Sequence, residues 1–197
     1  MKAARIRSGW HVWRSAGIAA LVATLGVVGA GTAAGQDRAG AVRAIAALDL
    51  VGYSGRWHEV GRLPNRFQSR CASDVTATYE VLRDSTIRVV NACLTTEGDR
   101  LRAEGRARLA DRRGPASRLK VRFAPAFLSF VPMVWADYWV LDLTEGFRAA
   151  LVGTPDRRYL WILSREPQLD QATYDRLLGT AAAQGFDVAR VMRTGVR

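Results

Sequence analysis

The sequence predicts an all-β fold, an eight-stranded antiparallel up-and-down β-barrel with one C-terminal α-helix packed outside. Three observations carry this expectation. Short segments alternate apolar and polar residues, the period of a strand with one buried face. Polar separators rich in Asp, Gly, Ser or Pro, such as 83–86, 111–115 and 144–146, stand between them and read as hairpin turns. Near the C-terminus the period changes once, where Tyr174, Leu177, Leu178 and Ala181 recur at helical spacing.

Taken in order, residues 1–34 read as an export signal. Lys2, Arg5, Arg7 and Arg14 precede an apolar run over 16–30 and the small residues Gly31, Thr32, Ala33, Ala34 and Gly35, with cleavage expected after Ala34 or Gly35. An uncleaved membrane anchor is the competing reading, disfavoured because the run is short for a span. No cysteine lies near the cleavage point, so a lipid-modified N-terminus is not expected. Residues 35–47 are small, polar and unpatterned, which suggests a flexible leader, and the folded domain is expected over 48–197.

Within that domain the alternation places strands at 57–63, 75–82, 87–94, 101–109, 118–123, 138–143, 147–152 and 159–164. Eight strands close a barrel around one small ligand. The helical period covers 170–184 and ends at Gly185, and 186–192 reads as a short final strand.

Charge and cysteines narrow the function. Removing residues 1–34 takes away four of the 29 cations and none of the 18 acids, leaving 25 against 18 and a net charge of +7. The arginines look scattered along the chain and no nucleic-acid motif accompanies them, so no nucleic-acid partner is expected; loose attraction to anionic membranes stays open. Cys71 and Cys93 both fall in the exported part, where an even count favours a disulfide, and they lack the spacing of a metal site. Closing that loop should stabilise the fold by roughly 3 kcal/mol.

Three separated motifs resemble the lipocalin family. They are Gly55-Arg56-Trp57 within Tyr53–Val60, the pair Tyr138–Asp142 and Phe147–Leu151, and Tyr159–Arg165. The phrases Ala77-Thr78-Tyr79, Ile87–Asn91 and Ala103-Glu104-Gly105 are similar to the branch containing bacterial lipocalins and apolipoprotein D, although His58 stands where that branch usually has tyrosine. The resemblance implies a lipocalin calyx in which Trp57 plugs the closed end and Arg165 lies across its indole. A guanidinium over an indole contributes on the order of 1–2 kcal/mol.

Catalysis finds little support: His58 is the only histidine after the signal, and no nucleophile elbow, zinc spacing or phosphate loop is present. Glu59, Glu104 and Asp142 fall on different predicted strands. No catalytic residue, metal or cofactor is therefore expected, and a lipid-modifying enzyme on the same scaffold is the rival reading.

Binding is better supported. Alternation turns Ala77, Tyr79, Trp161 and Leu163 inward with small Ala103, Gly105 and Ala107, and Asn91 is the polar candidate inside; Trp139 is counted among the ligand contacts. The expected ligand is a lipid-like molecule, by resemblance a fatty acid or lysophospholipid, unless the aromatics only fill a core. The segment 124–136 carries Phe127, Phe130, Met133 and Trp135 and no charge. At the open rim it would be a lid, a membrane contact or a loop packed on its own barrel. The expected location is periplasmic, with loose outer-membrane association.

Overall fold

In the computed structural model, which describes residues 40–195, the alternation folds as a ring. The strands are β1 (Gly55–Arg62), β2 (Ser73–Val81), β3 (Ile87–Leu94), β4 (Arg100–Leu109), β5 (Arg118–Arg122), β6 (Ala136–Leu143), β7 (Ala149–Gly153) and β8 (Leu160–Ser164). Each pairs antiparallel with the next, and β1 pairs with both β2 and β8, so the eight close on themselves and leave β1–β8 with no open edge. A two-residue strand, β9 (Met192–Arg193), adds to the upper end of β1. The predicted signal, residues 1–34, lies outside the described residues.

Two apolar clusters divide the molecule. One fills the barrel and includes Trp57, Tyr79, Val89, Leu119, Val140 and Leu163. The other lies between the barrel's outer wall and the helix α2 (Gln171–Ala183), joining Leu141, Leu151 and Ile162 to Tyr174, Leu177 and Ala181. Strand β7 is sandwiched between them and all five of its residues are buried, which explains its unbroken apolar run. Gly61 permits the close approach of α2, since a Cβ there would sit 2.6 Å from the Tyr174 hydroxyl oxygen. Asp170 caps the helix by accepting from the Thr173 amide at 2.8 Å.

Beneath the ring a one-turn helix, α1 (Leu50–Tyr53), is started by Asp49, whose carboxylate accepts from the Val51 amide. It feeds β1 through Gly55, whose φ of +96° favours glycine. The β2–β3, β4–β5 and β6–β7 turns share this closed end. The β1–β2, β3–β4, β5–β6 and β7–β8 loops surround the mouth.

Three expectations need correction. Described residues 40–47 of the expected leader are not free: Val42 is buried under α2, the Ile45 amide donates to the Val140 carbonyl at 2.9 Å, and Ser117 donates to the Ile45 carbonyl at 2.5 Å. Sparse apolar residues gave no period, yet two are enough to tie an extended segment down. The expected strand over 186–192 is interrupted by a 3-10 turn, Val188–Arg190, and only Met192 is in a strand, because Phe186 turns in against Gly153 and the α2 face. The strand expected at 147 begins at Ala149, since a 3-10 turn with Gly146 and Phe147 at positive φ precedes it.

Candidate functional site

The closed end is built on Trp57. Its indole is fully buried, donates from Nε1 to the Tyr53 carbonyl at 2.9 Å and lies 3.9 Å, ring centroid to guanidinium carbon, from Arg165. Arg165 is held by the carbonyls of Gly52 at 2.8 Å, Arg56 at 3.0 Å and Phe147 at 3.2 Å. A planar donor with several fixed acceptors has little freedom to leave, so water meets a closed floor.

Above the floor, three tyrosines from different elements meet. The Tyr138 hydroxyl lies 2.8 Å from that of Tyr53 and 2.8 Å from that of Tyr79. Burial pushes the Tyr79 phenol up to about 12 and raises those of Tyr53 and Tyr138 well above the ordinary phenol value. All three stay protonated at physiological pH.

Higher still, inward residues are small and only partly covered. Ala77, Asn91 and Ala103 stand opposite one another on β2, β3 and β4, and Ala103 is exposed although it faces inward. Val121 and Tyr138 also keep accessible surface. A solidly packed barrel would bury such positions, so the upper half of the barrel is incompletely filled and open to solvent.

Near the mouth a second polar group forms. Glu59 and Arg62 are each only 5 % exposed; Arg62 Nη1 donates to Glu59 Oε1 at 2.5 Å, and Gln68 Nε2 donates to Oε2 at 2.5 Å. Gln68 in turn accepts from the Trp161 indole at 2.9 Å and from Asn65 at 2.7 Å. Burial raises the Glu59 carboxyl from its ordinary value, against the opposing effect of Arg62. Tyr159 stacks on Trp161, and Phe67 packs on Tyr159 at the lip. The Cys71–Cys93 disulfide ties the β1–β2 loop to the end of β3 beside this group.

The segment 124–136 forms two 3-10 turns, Ala126–Leu128 and Pro132–Val134. Its tips, Phe127, Phe130 and Met133, are 73 %, 80 % and 93 % exposed. Trp135 is not a tip: its ring is held between Arg108 at 4.2 Å and Arg122 at 5.2 Å, and its Nε1 donates to the Ser129 carbonyl. Both arginines alternate with the inward residues Ala107, Leu119 and Val121, so the loop is rooted on the outer wall and does not cross the mouth.

That wall collects charge which looked scattered in one dimension. On β4 and β5, Arg100, Arg102, Arg106, Arg108, Arg118, Lys120 and Arg122 all occupy outward positions, with Arg106 opposite Arg122 and Arg108 opposite Lys120. Glu104 answers Arg88 and Arg102, and Asp137 answers Lys120. The register of two strands brings together residues that a linear reading leaves apart.

Of the residues expected at a ligand, Ala77, Tyr79, Asn91, Trp161 and Leu163 face the interior, although Leu163 is buried in the floor cluster opposite Glu59. Trp139 does not. It packs with the outer cluster beneath α2 and carries the Arg118 guanidinium 4.6 Å above its ring, while its neighbour Tyr138 points in. The error is one of parity: two adjacent aromatics cannot share a face of a strand. Glu104 and Asp142 are outward and engaged by arginines, Asp142 with Arg176 at 2.7 Å. Gln68 and the meeting of the three tyrosines carried no sequence signal, because loop residues have no period and the trio spans 85 positions.

The fold and site define a calyx with a sealed base, a hollow upper half and an apolar lip. The chain belongs to the lipocalin-like family, whose domain model matches residues 48–195. Over 148 residues it is 40 % identical to temperature-induced lipocalin-1 of Arabidopsis thaliana, covering 75 % of this chain and 78 % of the relative. Over 144 residues it is 35 % identical to the outer membrane lipoprotein Blc of Escherichia coli K12, covering 73 % of this chain and 76 % of the relative. Among solved structures, insecticyanin of the tobacco hornworm Manduca sexta superposes with a TM-score of 0.62 at 20 % identity over 79 % of this chain and 85 % of its own, a likeness of fold. Lipocalins are generally binding and transport proteins for small hydrophobic ligands.

Proposed function

We propose that this protein reversibly binds a fatty acid or lysophospholipid, without covalent chemistry, for storage or transport at the cell envelope. The supporting observation is the upper half of the barrel, where inward Ala77, Asn91, Ala103 and Val121 retain accessible surface above a sealed floor. An apolar hollow of this kind gains by taking up an acyl chain, at about 0.8 kcal/mol for each methylene removed from water. The similarity to an outer membrane lipoprotein supports an envelope location. Native mass spectrometry after incubation with a bacterial lipid extract is expected to return a one-to-one adduct of unaltered lipid mass. A released lipid of changed mass would favour the enzyme reading, and no adduct at all would end the carrier reading.

The lip supplies the means of exchange. In this proposal Phe127, Phe130 and Met133 enter an anionic bilayer while the exposed cations of β4 meet its headgroups. Full burial of each such side chain is worth about 1.5–3 kcal/mol, so partial insertion of three is enough for transient attachment. Replacing all three with serine is expected to weaken co-sedimentation with phosphatidylglycerol vesicles by about tenfold or more, with the barrel's melting unchanged. Equal co-sedimentation of the variant would remove the membrane contact.

A further inference from the structure

The tyrosine trio has one more proton than it can use. Three phenolic hydroxyls carry three donors, and only two oxygen–oxygen contacts link them. Among the described residues no other acceptor lies within reach of any of the three. Tyr53 is 2 % and Tyr79 7 % exposed, whereas Tyr138, the central member, is only partly buried. The arrangement that satisfies both buried donors has Tyr53 and Tyr79 donating to the Tyr138 oxygen. The Tyr138 proton is then the one left without a partner, its strength as a donor enhanced by the two bonds its oxygen accepts.

We propose that Tyr138, supported by Tyr53 and Tyr79, is a hydrogen-bond donor for a neutral oxygen at the inner end of the ligand, a ketone or ester carbonyl carried on a long apolar chain. This rests on the reading of the protein as a carrier, and it changes the ligand class from a free fatty acid or lysophospholipid to a chain whose inner end bears a neutral oxygen. The oxygen is neutral for two reasons. A carboxylate there would be buried without a free cation, since Arg62 is engaged with Glu59 and Arg165 with the carbonyls of Gly52, Arg56 and Phe147. Burial already drives all three phenols away from ionisation, and an anion from the ligand would meet the same opposition. A guest that offers only hydrocarbon to this depth leaves a donor dry and unpaired, which a site with a built-in donor penalises.

The test uses two probes that differ by the carbonyl alone, heptadecyl methyl ketone and nonadecane, each competing with a fluorescent naphthylamine in the calyx. The ketone is expected to bind about three- to tenfold more tightly, and its isotope-labelled carbonyl to show an infrared stretch lowered by hydrogen bonding. In Tyr138→Phe the lowered stretch should vanish and the ketone should bind no more tightly than nonadecane. Tyr138→Phe leaves two buried hydroxyls unpaired, so the triple variant Tyr53→Phe, Tyr79→Phe, Tyr138→Phe, which leaves none, serves as the stable partner and should behave alike. Equal affinity for both probes in the unmodified protein, or a lowered stretch surviving in the triple variant, overturns the donor role. Failure of both probes to displace the dye overturns the carrier reading itself.

Discussion

Replacing Trp57 with alanine is expected to lower the stability of the barrel by about 3–5 kcal/mol, a large share of what a domain of this size has in reserve. The indole is fully buried and makes three contacts at once: it packs on Tyr53 with centroids 4.9 Å apart, donates to the Tyr53 carbonyl and lies under Arg165. Alanine removes the transfer free energy of the ring and leaves a void that the strands, locked by closure, collapse into only in part. The Tyr53 carbonyl still receives Arg165 at 3.3 Å, so the floor loses packing more than hydrogen bonding. Urea unfolding followed by far-ultraviolet circular dichroism measures the change, and Trp57→Phe should fall between the two because it keeps an aromatic face for the cation. A loss below about 1 kcal/mol for alanine would mean that the closed end does not depend on this ring.

The closed end was legible in sequence because its parts are local and chemically distinctive. Gly55 and Trp57 sit two positions apart, and a tryptophan at a strand entry has few alternatives to burial. The strands were legible for the same reason, since alternation is a local property. The mouth was not. Glu59 reads as an ordinary acid on a strand until the bulge between Glu59 and Gly61 brings Arg62 to the same face three residues on, where strict alternation would point it outward. Trp139 was misplaced because the parity of β6 puts its neighbours Tyr138 and Val140 on the inner face. The cationic wall escaped notice because it exists only in the pairing of β4 with β5. The Glu59–Arg62 pair and the cationic wall belong to a bulge and to register, two properties of a sheet that alternation within one strand does not encode, whereas Trp139 is a matter of parity along β6.

At the mouth, removing one partner of the buried pair is expected to cost more than removing both. In Arg62→Met the Glu59 carboxylate stays 5 % exposed, with the Gln68 amide as its remaining side-chain donor, and a destabilisation of about 3–5 kcal/mol at neutral pH follows from an uncompensated buried charge. The double variant Glu59→Gln, Arg62→Met keeps the volume, removes the charge and should recover most of that loss, because well-packed neutral replacements of a buried ion pair are often harmless. The pH dependence separates the two. Burial already raises the Glu59 carboxyl in the folded protein, and loss of Arg62 raises it further. Between the ordinary and the raised values the folded state binds a proton that the unfolded state does not, so stability falls as pH rises through that window and is regained on acidification. Urea midpoints measured at neutral pH and near pH 5 should therefore converge for Arg62→Met and the double variant as the medium becomes more acidic. Parallel midpoints at both values would show that the carboxylate finds water once its arginine is gone, and that the mouth is less enclosed than the Glu59–Gln68–Trp161 chain of bonds implies.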